Sequence, residues 1–322
     1  MSTEWHAAEY PLRFQFGDRT LFSRHLKLQA MQLSLPMLLG RAEWHVLQPS
    51  ELPKHIAGCL VRSVPDDASQ PTIARAGGYL RYVIERGPRY YADLSGTFDE
   101  YVQKHFSSKS KGTLQRKIRK FSEFSGGTLD WRSYRGADDM PAFHASALAV
   151  SDQTYQEKLF GSGLPRSEEF IAELQRRAQS DSVRAYVLFS QGTPVAYLYL
   201  PAEEETLIYA YLGFAPAFRE WSVGTILHWF ALKDLFGGTR FRYLDFTEGD
   251  GEHKKLFATG NVSAETILFL RDSLFHRMLL RAHSRTNGIS ARVGLMLERM
   301  GIKSVAKRVL RYGFRGLWRK AS

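Results

Sequence analysis

Hydrophobic and polar positions follow two different periods along this chain, and together they predict a mixed α/β fold. Loose alternation of apolar and polar residues over 10–50 predicts strands and one short helix. Residues 79–92 predict two strands broken at Gly87-Pro88. The most regular region predicts a helix over 223–236 among the strands 183–189, 194–200, 206–213, 241–246 and about 263–271. The order β-β-β-α-β-α-β is typical of a mixed sheet with helices on its faces.

Helical periodicity is clearest between Thr97 and Gly127, where the pattern predicts two consecutive helices. Asp99 or Thr97 is the candidate cap of the first helix, and Ser110 is the candidate cap of the second. Gly126-Gly127 is expected to end the second helix, because glycine pairs commonly follow a helix end. A further amphipathic helix is predicted over 167–179, with acidic residues in its first turn as the helix dipole favours.

Positive charge is concentrated in the last part of the chain. Residues 271–322 hold 13 Lys and Arg against 2 Asp and Glu, which leaves 31 of each kind in residues 1–270. The whole formal excess of +11 therefore belongs to this part. Such asymmetry favours an acidic partner, which is a membrane surface, a carrier protein or nucleic acid. A solvated helical face is the alternative.

The basic part predicts helices separated near Asn287-Gly288 and Gly301. Over 302–319 its pattern is amphipathic. The apolar stripe contains Ile302, Val305, Ala306, Val309, Leu310, Gly313, Leu317 and Trp318, flanked by Lys303, Lys307, Arg308, Arg311, Arg315 and Arg319. This pattern suits an anionic membrane surface, an acidic acyl carrier protein, or packing on the body with the charges in water. Nucleic acid is disfavoured because aromatic residues are sparse among these charges.

Several features limit the class of protein. The single cysteine, Cys59, lies in an apolar run, which favours a buried structural residue and a reducing compartment. The N-terminal residues do not resemble a signal peptide, and no segment approaches the roughly 20 apolar residues of a membrane helix. We therefore expect a cytoplasmic protein, with a peripheral position at the inner membrane face as an option. Zinc-ligand spacings, nucleophile elbows, phosphate-loop motifs and nicotinamide fingerprints are missing, so we expect no metal.

The segment REWSVGTIL joins a predicted strand to a predicted helix and is a candidate phosphate seat. The main-chain amides at the start of a helix, here at Ser222 and Val223, attract anions. Gly224 has no side chain to obstruct a phosphate, Thr225 adds a hydroxyl donor, and Arg219 supplies a permanent positive charge. Ser222 is also the expected helix cap. A plain cap without a ligand is the alternative.

In its context of three strands before it, one strand after it and then a charged loop, this segment resembles the coenzyme A seat of the GNAT acyltransferases. Their pattern Arg/Gln-x-x-Gly-x-Gly/Ala follows a strand and opens a helix. Arg219 and Gly224 match its first and last elements, and Ser222 replaces the first glycine. A Ser-x-Gly turn at this place looks like the CelD/BcsL-type subgroup, associated with bacterial cellulose and exopolysaccharide synthesis. The resemblance implies a coenzyme A thioester as acyl donor.

Three further segments carry the subgroup resemblance, which covers about residues 100–270. SSKSKGTLQRKIRKFSEFSGG looks like its basic helix, with Gly112 or Lys111 where an arginine is usual. DQTYQEKLFGSGL and YLDFTEGDGEHKKLF look like its aromatic-Lys-Gly and Tyr-Asp-Phe…Gly-Asp…Lys segments. Related Fem-type transferases pack two GNAT-like halves together. The resemblance thus implies a GNAT-like fold, divided into a strand-rich half at 1–100, the acyltransferase domain at 101–271 and a basic helical extension at 272–322.

A charged loop after the strand 241–246 holds the candidate catalytic groups. Transfer from a thioester needs a base for the proton of the acceptor and an acid for the leaving thiolate. The candidates are Asp245, Glu248, Asp250, Glu252 and His253. Neighbouring carboxylates raise one another's pKa, and histidine has a suitable intrinsic pKa. A solvated loop with a helix cap is the alternative. The subgroup's lysine aligns with Lys254 or Lys255, and the resemblance implies that it faces the site, which makes Lys254 a candidate substrate-binding residue. Charges on the helix surface are the alternative for both.

A second polar cluster precedes a glycine-containing loop. Its members Asp152 and Lys158 are candidate substrate-binding residues, and the hydroxyl of Tyr155 is a candidate acid towards the thiolate. A partly buried aromatic that anchors the loop is the alternative for Tyr155. Tyr209 and Tyr211 fall on one face of the same predicted strand and are either core residues or face the acceptor.

The leading hypothesis from the sequence is an acyltransferase that moves an acyl group from acyl-CoA, or from an acyl carrier protein, to an amine or hydroxyl. The expected acceptor is an envelope sugar or lipid, for instance a long-chain base that yields a ceramide-type product. A rival hypothesis is aminoacyl transfer from charged tRNA, as in the Fem-type relatives. A third hypothesis is a non-catalytic scaffold in envelope synthesis.

Overall fold

The structure, a computed structural model, describes residues 4–17, 19–40, 45–47, 49–154, 163–238 and 240–299. Several of the sequence-based predictions fall outside these residues. They are the roles of Tyr155 and Lys158, the helix break near Gly301 and the amphipathic pattern over 302–319, and they stay predictions.

Strands and helices alternate along the described chain, which confirms the mixed α/β prediction. The strands are β1 His6–Phe16, β2 Arg19–Gln32, β3 Gly58–Pro65, β4 Ile73–Ala76, β5 Tyr79–Asp93, β6 Asp130–Tyr134, β7 Val183–Ser190, β8 Thr193–Glu203, β9 Thr206–Ile208, β10 Tyr211–Phe214, β11 Tyr243–Glu248 and β12 Gly260–Arg271. The α-helices are α1 Leu35–Leu38, α2 Phe98–His105, α3 Ser108–Phe124, α4 Met140–Ser151, α5 Glu168–Gln179, α6 Val223–Phe236, α7 Glu252–Phe257 and α8 Leu274–Arg299. Short 3-10 turns lie at Pro49–Glu51, Ala137–Asp139 and Pro216–Trp221.

The chain forms two compact units. The central unit is Pro88–Val262, and the outer unit joins the residues up to Gly87 with those from Ser263 onward. The outer unit is therefore discontinuous in sequence, whereas the predicted segments 1–100, 101–271 and 272–322 follow one another along the chain. What each of those predicted segments does stays a prediction.

A sheet in the outer unit carries α8 on one face. β1 pairs antiparallel with β2, β2 parallel with β3, β3 antiparallel with β12, and β4 antiparallel with β5. Leu12, Leu28 and Leu60 of this sheet are buried together with Leu280 of α8. A second apolar cluster contains Cys59, which is fully buried, and burial raises the pKa of its thiol to about 11. An uncharged buried thiol fits the structural role expected from the sequence.

In the central unit the strand order is the end of β5, then β11, β9, β8, β7 and β6. The pairs are antiparallel except for β9 with β11, which is parallel because α6 crosses over between these two strands. Ile226 and Leu227 of α6 pack with Leu198 of β8 and Phe246 of β11, and all four side chains are fully buried. This core fixes the start of α6 beside the ends of the central strands.

Two long elements are continuous where the sequence predicted breaks. β5 runs through Gly87-Pro88 as one strand. Pro88 has no N–H that would need a partner, and its carbonyl still accepts from the N–H of Gly249 at 3.2 Å. α8 runs through Asn287-Gly288, because packing on the outer sheet compensates for the low helix propensity of glycine. Both predicted breaks are wrong.

The predicted helix caps are partly confirmed. Thr97 caps α2 and forms a capping box with Glu100, as one of the two alternatives had it. The cap of α3 is Ser107, whose hydroxyl accepts from the N–H of Ser110 at 3.2 Å. The prediction of Ser110 as the cap is therefore wrong by one turn. α6 begins at Val223 and ends at Phe236, as predicted.

Candidate functional site

The strand predicted over 206–213 divides at Tyr209 and Ala210, because these two residues bond to different neighbours. The N–H of Tyr209 donates to the carbonyl of Asp245 at 2.9 Å, whereas the N–H of Ala210 donates to the carbonyl of Tyr199 at 3.3 Å. β9 therefore stays between β8 and β11, while β10 continues beside β8 alone within the described chain. β10 and β11 thus separate after the last β9–β11 pair, Ile208 with Asp245.

The division also separates two tyrosines that the sequence placed on one face. Tyr209 packs in the core beside His228 and Phe246. Tyr211 packs with Phe170 and Tyr199 in a different apolar cluster, with ring centroids 6.1 Å from each. The prediction of a shared face is wrong, because the two residues no longer belong to one uninterrupted strand.

Ser222 joins the 3-10 turn Pro216–Trp221 to α6 in a left-handed conformation, with φ 55°. Its side chain makes no capping hydrogen bond, so the predicted cap is wrong. The left-handed region costs a non-glycine residue about 1–2 kcal/mol, which explains why glycine suits this position in the resembling pattern. The first bond of α6 runs from the N–H of Ile226 to the carbonyl of Ser222 at 3.1 Å. The amides of the residues before Ile226 thus lie at the positive end of the helix dipole.

A cavity of about 240 Å³ opens at this helix start. It is lined by Leu212, Phe214, Arg219, Ser222, Val223, Gly224, Thr225, His228 and His253, and is called the α6 cavity below. The side chain of Val223 is fully buried in the core, so this residue presents only its main chain to a ligand. A Cβ on Gly224 would meet its nearest atom, Cδ1 of Phe214, at 3.7 Å, which is an ordinary contact. Packing alone therefore does not require glycine at this position.

His228 is a polar lining residue of the α6 cavity that the sequence did not predict. The ring is 1% exposed and is stacked between Tyr209 and Phe257, with centroids 5.1 Å and 5.2 Å away. Nδ1 lies 3.1 Å from the carbonyl of Gly224, so Nδ1 carries the proton and Nε2 is an acceptor. Nε2 has no hydrogen-bond partner among the described residues. Burial, with His253 nearby, lowers the pKa of His228 to about 3, so the ring is neutral.

Next to the His228 ring with its Nε2 acceptor, Tyr209 supplies a hydrogen-bond donor. Its hydroxyl is buried and has no hydrogen-bond partner among the residues that the structure describes. Burial raises the pKa of this phenol well above its usual range, so the hydroxyl stays protonated and can donate a hydrogen bond. Unsatisfied buried polar atoms are costly, and at a cavity they indicate a ligand or an ordered water. His228 lines the α6 cavity, whereas Tyr209 is not a lining residue and packs against the His228 ring. One sequence signal could have identified His228, which is that it follows Gly224 by four residues and so lies one helical turn beyond it.

His253, a predicted catalytic residue, also lines the α6 cavity. Its ring is half-buried, with centroids 5.8 Å from Tyr209 and 6.1 Å from His228. Burial, with the charge of Lys254 next to it, lowers the pKa of His253. A lowered pKa keeps the imidazole neutral at pH 7, which is the form that accepts a proton.

Asp245 is fully buried, although it was predicted to be catalytic. Both carboxylate oxygens lie 3.1 Å from Nε of Arg89, which is itself 3% exposed, and one of them also pairs with the Arg89 fork. The N–H of Thr247 donates to the same carboxylate at 2.8 Å. Thr247 has φ 61°, and the pairing of β11 with β5 shifts register between Asp245 and Glu248. The Arg89–Asp245 pair therefore holds a β-bulge at the end of β11.

Lys254 stabilises the other side of this bulge. Its Nζ donates to the carbonyls of Glu248 at 2.5 Å and Thr247 at 3.3 Å, and burial lowers its pKa. Asp250 lies on the surface, where it accepts from the hydroxyl of Tyr90 at 3.2 Å and pairs with Lys255 at 2.8 Å. The structure thus brings His253 to the α6 cavity, but places neither Glu248, Asp250 nor Lys254 among its lining residues.

The remaining predicted site residues lie elsewhere in the central unit. Asp152 ends α4 and pairs with Arg166 at the surface. Tyr211 belongs to the aromatic cluster described above. Neither residue lines the α6 cavity. Their roles as substrate-binding residues stay predictions.

A second cavity of about 360 Å³ meets the first at Thr225. It is lined by Ser107, Lys109, Ser110, Thr113, Leu114, Lys117, Thr225 and Leu256. Both lysines are exposed, and α3 carries further exposed basic residues at Lys111, Arg116, Arg119 and Lys120. The α6 cavity is therefore flanked by a positively charged helix.

The described residues contain no group of three or more His, Cys, Asp or Glu side chains placed to hold a metal ion. Among the same residues, no helix is both long enough and apolar enough to cross a membrane.

Comparison with known proteins supports the fold. Residues 108–255 match the family model described as the acetyltransferase (GNAT) domain, a range that includes the whole α6 cavity. With the mixed α/β architecture, this match confirms the GNAT-like fold class. Membership of the CelD/BcsL-type subgroup and the presence of two GNAT-like halves stay predictions. A search of curated proteins found no significant match.

Among solved structures, the chain is similar to the C-terminal domain of a putative lysylphosphatidylglycerol synthetase from Agrobacterium fabrum. The identity is 12%, covering 70% of this chain and 71% of that one, with a TM-score of 0.46. A conserved protein of unknown function from Bacteroides thetaiotaomicron shows 9% identity over 83% of each chain and a TM-score of 0.49. FemX shows 9% identity over 86% of this chain and 90% of that one, with a TM-score of 0.46. Likenesses this distant do not identify a substrate.

Proposed function

We propose that this chain is an acyltransferase that moves an acyl group from a coenzyme A thioester to an amine or hydroxyl of an envelope sugar or lipid. The observation that carries the proposal is the α6 cavity, where a helix start, a glycine that packing does not require, and the ring of His228 with its unsatisfied Nε2 meet. The match of residues 108–255 to the acetyltransferase (GNAT) domain supports it.

The donor's pyrophosphate would lie on the first amides of α6, next to Gly224 and Thr225. Helix amides and dipole favour an anion there, and the bare Cα of Gly224 lets the phosphate approach the main chain. Arg219 is exposed, lines the cavity and has no ion-pair partner within the described chain, so its guanidinium is available to the phosphates. The thioester would then enter between β10 and β11, where these strands separate.

His253 is the proposed general base. The acceptor nitrogen or oxygen attacks the thioester carbonyl, a bond to carbon forms, and the C–S bond breaks as the thiolate leaves. The proton of the acceptor passes to neutral His253, and the thiolate takes up a proton from solvent. Tyr209 keeps its proton and donates a hydrogen bond to the negative charge that develops on the thioester oxygen, with His228 fixing its ring by stacking.

Asp245 has a positioning role in this proposal. A carboxylate that is fully buried and bound by Arg89 on both oxygens has no path to the acceptor proton. It holds the bulge of β11, whose carbonyls bind Lys254, the residue next to His253 on α7. Loss of Asp245 would thus displace the base without removing it.

Calorimetric titration with coenzyme A and with acyl-CoA thioesters of increasing chain length tests the donor. Gly224→Ala is expected to lower the affinity at least about tenfold, because the methyl group occupies the phosphate's approach, while the melting temperature is retained since the Cβ fits. Gly288→Ala is the matched control, a helical glycine in open space on α8, and should leave the affinity unchanged. Absence of binding by the unchanged protein, or equal affinity in both variants, would refute the donor site.

A second candidate donor is aminoacyl-tRNA, favoured by the exposed basic side chains of α3 beside the second cavity. Phosphate contacts of this kind make affinity fall steeply with salt. Lys109→Gln with Lys117→Gln would then weaken tRNA binding and reduce its salt dependence. If coenzyme A binds and tRNA does not, this candidate is eliminated.

A further inference from the structure

α8 is amphipathic, and its inner face is firmly packed on the outer unit. Leu280 is fully buried in the core of that unit. Nε2 of His283 bonds to the carbonyl of Arg13 at 3.0 Å, and the hydroxyl of Ser290 accepts from the N–H of Gly17 at 2.9 Å. These contacts fix which side of the helix faces outward.

The outward side carries large apolar side chains along the described helix. Leu274 is 73% exposed, Met278 63% and Met296 59%, and Phe275 and Ile289 are each 54% exposed. Single exposed apolar residues are ordinary, but several of them along one side of a helix indicate an interaction surface. Arg24 of β2, 5.7 Å from the Phe275 ring, extends this surface.

Arginines are interspersed with these apolar residues on the same outward side. Arg281, Arg285 and Arg292 are exposed and have no ion-pair partner among the described residues, whereas Arg277 is neutralised by Asp272 at 2.6 Å. The sequence contains no Asp or Glu from Leu274 to Leu297. A surface that is both apolar and uniformly cationic is complementary to an anionic partner that also offers apolar contacts.

We infer that this outward side of α8 docks on an anionic lipid bilayer, with the helix axis parallel to the membrane. A bilayer surface offers phosphate groups for the arginines and, about 5–10 Å below them, hydrocarbon for Leu, Phe and Met. The helix has 26 residues, about 39 Å, which suits a flat surface better than a pocket. An arginine on most turns keeps the helix at the interface. This inference does not rest on the proposed acyl transfer.

Co-sedimentation of the full chain with vesicles tests the inference. Phosphatidylcholine vesicles containing phosphatidylglycerol should bind the chain, and pure phosphatidylcholine vesicles should bind it far more weakly. Arg281→Gln with Arg285→Gln should reduce partitioning about 25-fold, since each arginine near an anionic surface contributes about fivefold. Arg132→Gln with Arg176→Gln removes the same charge from exposed ion pairs of the central unit and should have little effect.

Leu274→Ser with Met278→Ser tests the apolar contribution. Both side chains are exposed, so folding is retained, and partitioning should fall at least about tenfold even at high salt, where the arginines are screened. No binding by the unchanged chain, or equal loss in the two arginine pairs, would overturn the inference. So would a dimer that Leu274→Ser with Met278→Ser dissociates, because a second copy would then be the occupant.

Discussion

Two buried histidines, His228 in the central unit and His283 in the outer unit, show how alike a structural and a candidate functional residue can look. They are 1% and 3% exposed, and burial lowers the pKa of both. His283 has both ring nitrogens bonded, Nδ1 to the hydroxyl of Tyr82 at 2.7 Å and Nε2 to the carbonyl of Arg13. His228 has one nitrogen bonded, and the other belongs to a ring that lines a cavity.

The difference lies in what the second nitrogen contacts, not in burial or in charge. A buried ring whose nitrogens are both bonded stabilises the fold and leaves nothing for a ligand. A buried ring with a vacant acceptor carries a desolvation cost that a ligand or water can remove. We therefore assign His283 to the fold and His228 to the site.

Two buried carboxylates extend the comparison. Glu265 in the outer unit is 1% exposed and accepts from Arg81 at 2.5 Å and Arg86 at 2.6 Å. Asp245 in the central unit is equally buried and equally paired, with Arg89 and a main-chain amide. By the same criterion Asp245 resembles Glu265 more than a catalytic base, which is why we propose His253 and not Asp245 as the base.

The largest expected effect is at His253. His253→Ala should lower kcat by about 10²–10⁴, the range for loss of a general base, with donor affinity retained. In the unchanged protein the lowered pKa means that the acid limb of the kcat/KM profile lies at lower pH than an ordinary histidine would give. His25→Ala, at an exposed histidine, is the control. A kcat unchanged in His253→Ala would remove this residue from the mechanism.

The next effect separates the two buried histidines directly. His283→Leu leaves the hydroxyl of Tyr82 and the carbonyl of Arg13 without their partner and should cost about 3 kcal/mol of unfolding free energy. His228→Leu removes an unsatisfied Nε2 and the Nδ1 bond to the Gly224 carbonyl, which keeps its main-chain helix bond. Its cost should therefore be only about 1 kcal/mol, while turnover falls. Urea unfolding and kcat measured on both variants check this. Equal destabilisation by the two substitutions would contradict the assignment of His283 to the fold and His228 to the site.

Acid should destabilise the protein through His228. The unfolded ring titrates near 6.5 and the folded ring near 3, so the unfolded state binds the proton first. The stability that neutral His228 preserves is complete above pH 6.5 and is lost as the pH falls towards 3, with about 2 kcal/mol gone at pH 5. His228→Phe should be less sensitive between pH 6.5 and 5. The same acid sensitivity in this variant would mean that another group is responsible.

The smallest expected effect concerns Ser222. Ser222→Gly relieves the left-handed strain and should stabilise the fold by about 0.5–1 kcal/mol after the entropy of glycine is counted. Gln191→Gly, at φ 49° in the turn between β7 and β8, should give a similar gain. If the hydroxyl of Ser222 contacts the donor's phosphate, only Ser222→Gly also weakens coenzyme A binding. Calorimetry and thermal unfolding of the two variants separate strain from recognition.

The sequence by itself determined the elements whose signals are local. The bounds of α6 and the Thr97 cap follow from periodicity and from residues a few positions apart, and the segment REWSVGTIL, which stays a predicted phosphate seat, was recognised in the same way. The sequence could also single out His253 as a candidate, because this residue follows a recognisable charged loop. Positive charge on α3 and α8 is likewise visible as composition.

Only the tertiary structure decided the features that depend on distant partners. The division between β9 and β10 arises because Tyr209 bonds to β11 and Ala210 to β8, although the local pattern is that of one strand. Asp245 meets Arg89 across 156 positions, which turned an expected base into a buried ion pair. Nε2 of His228 is vacant because none of the described residues places a hydrogen-bonding atom against it. Periodicity reports neighbours along the chain, whereas satisfaction of a buried polar atom depends on every element packed around it.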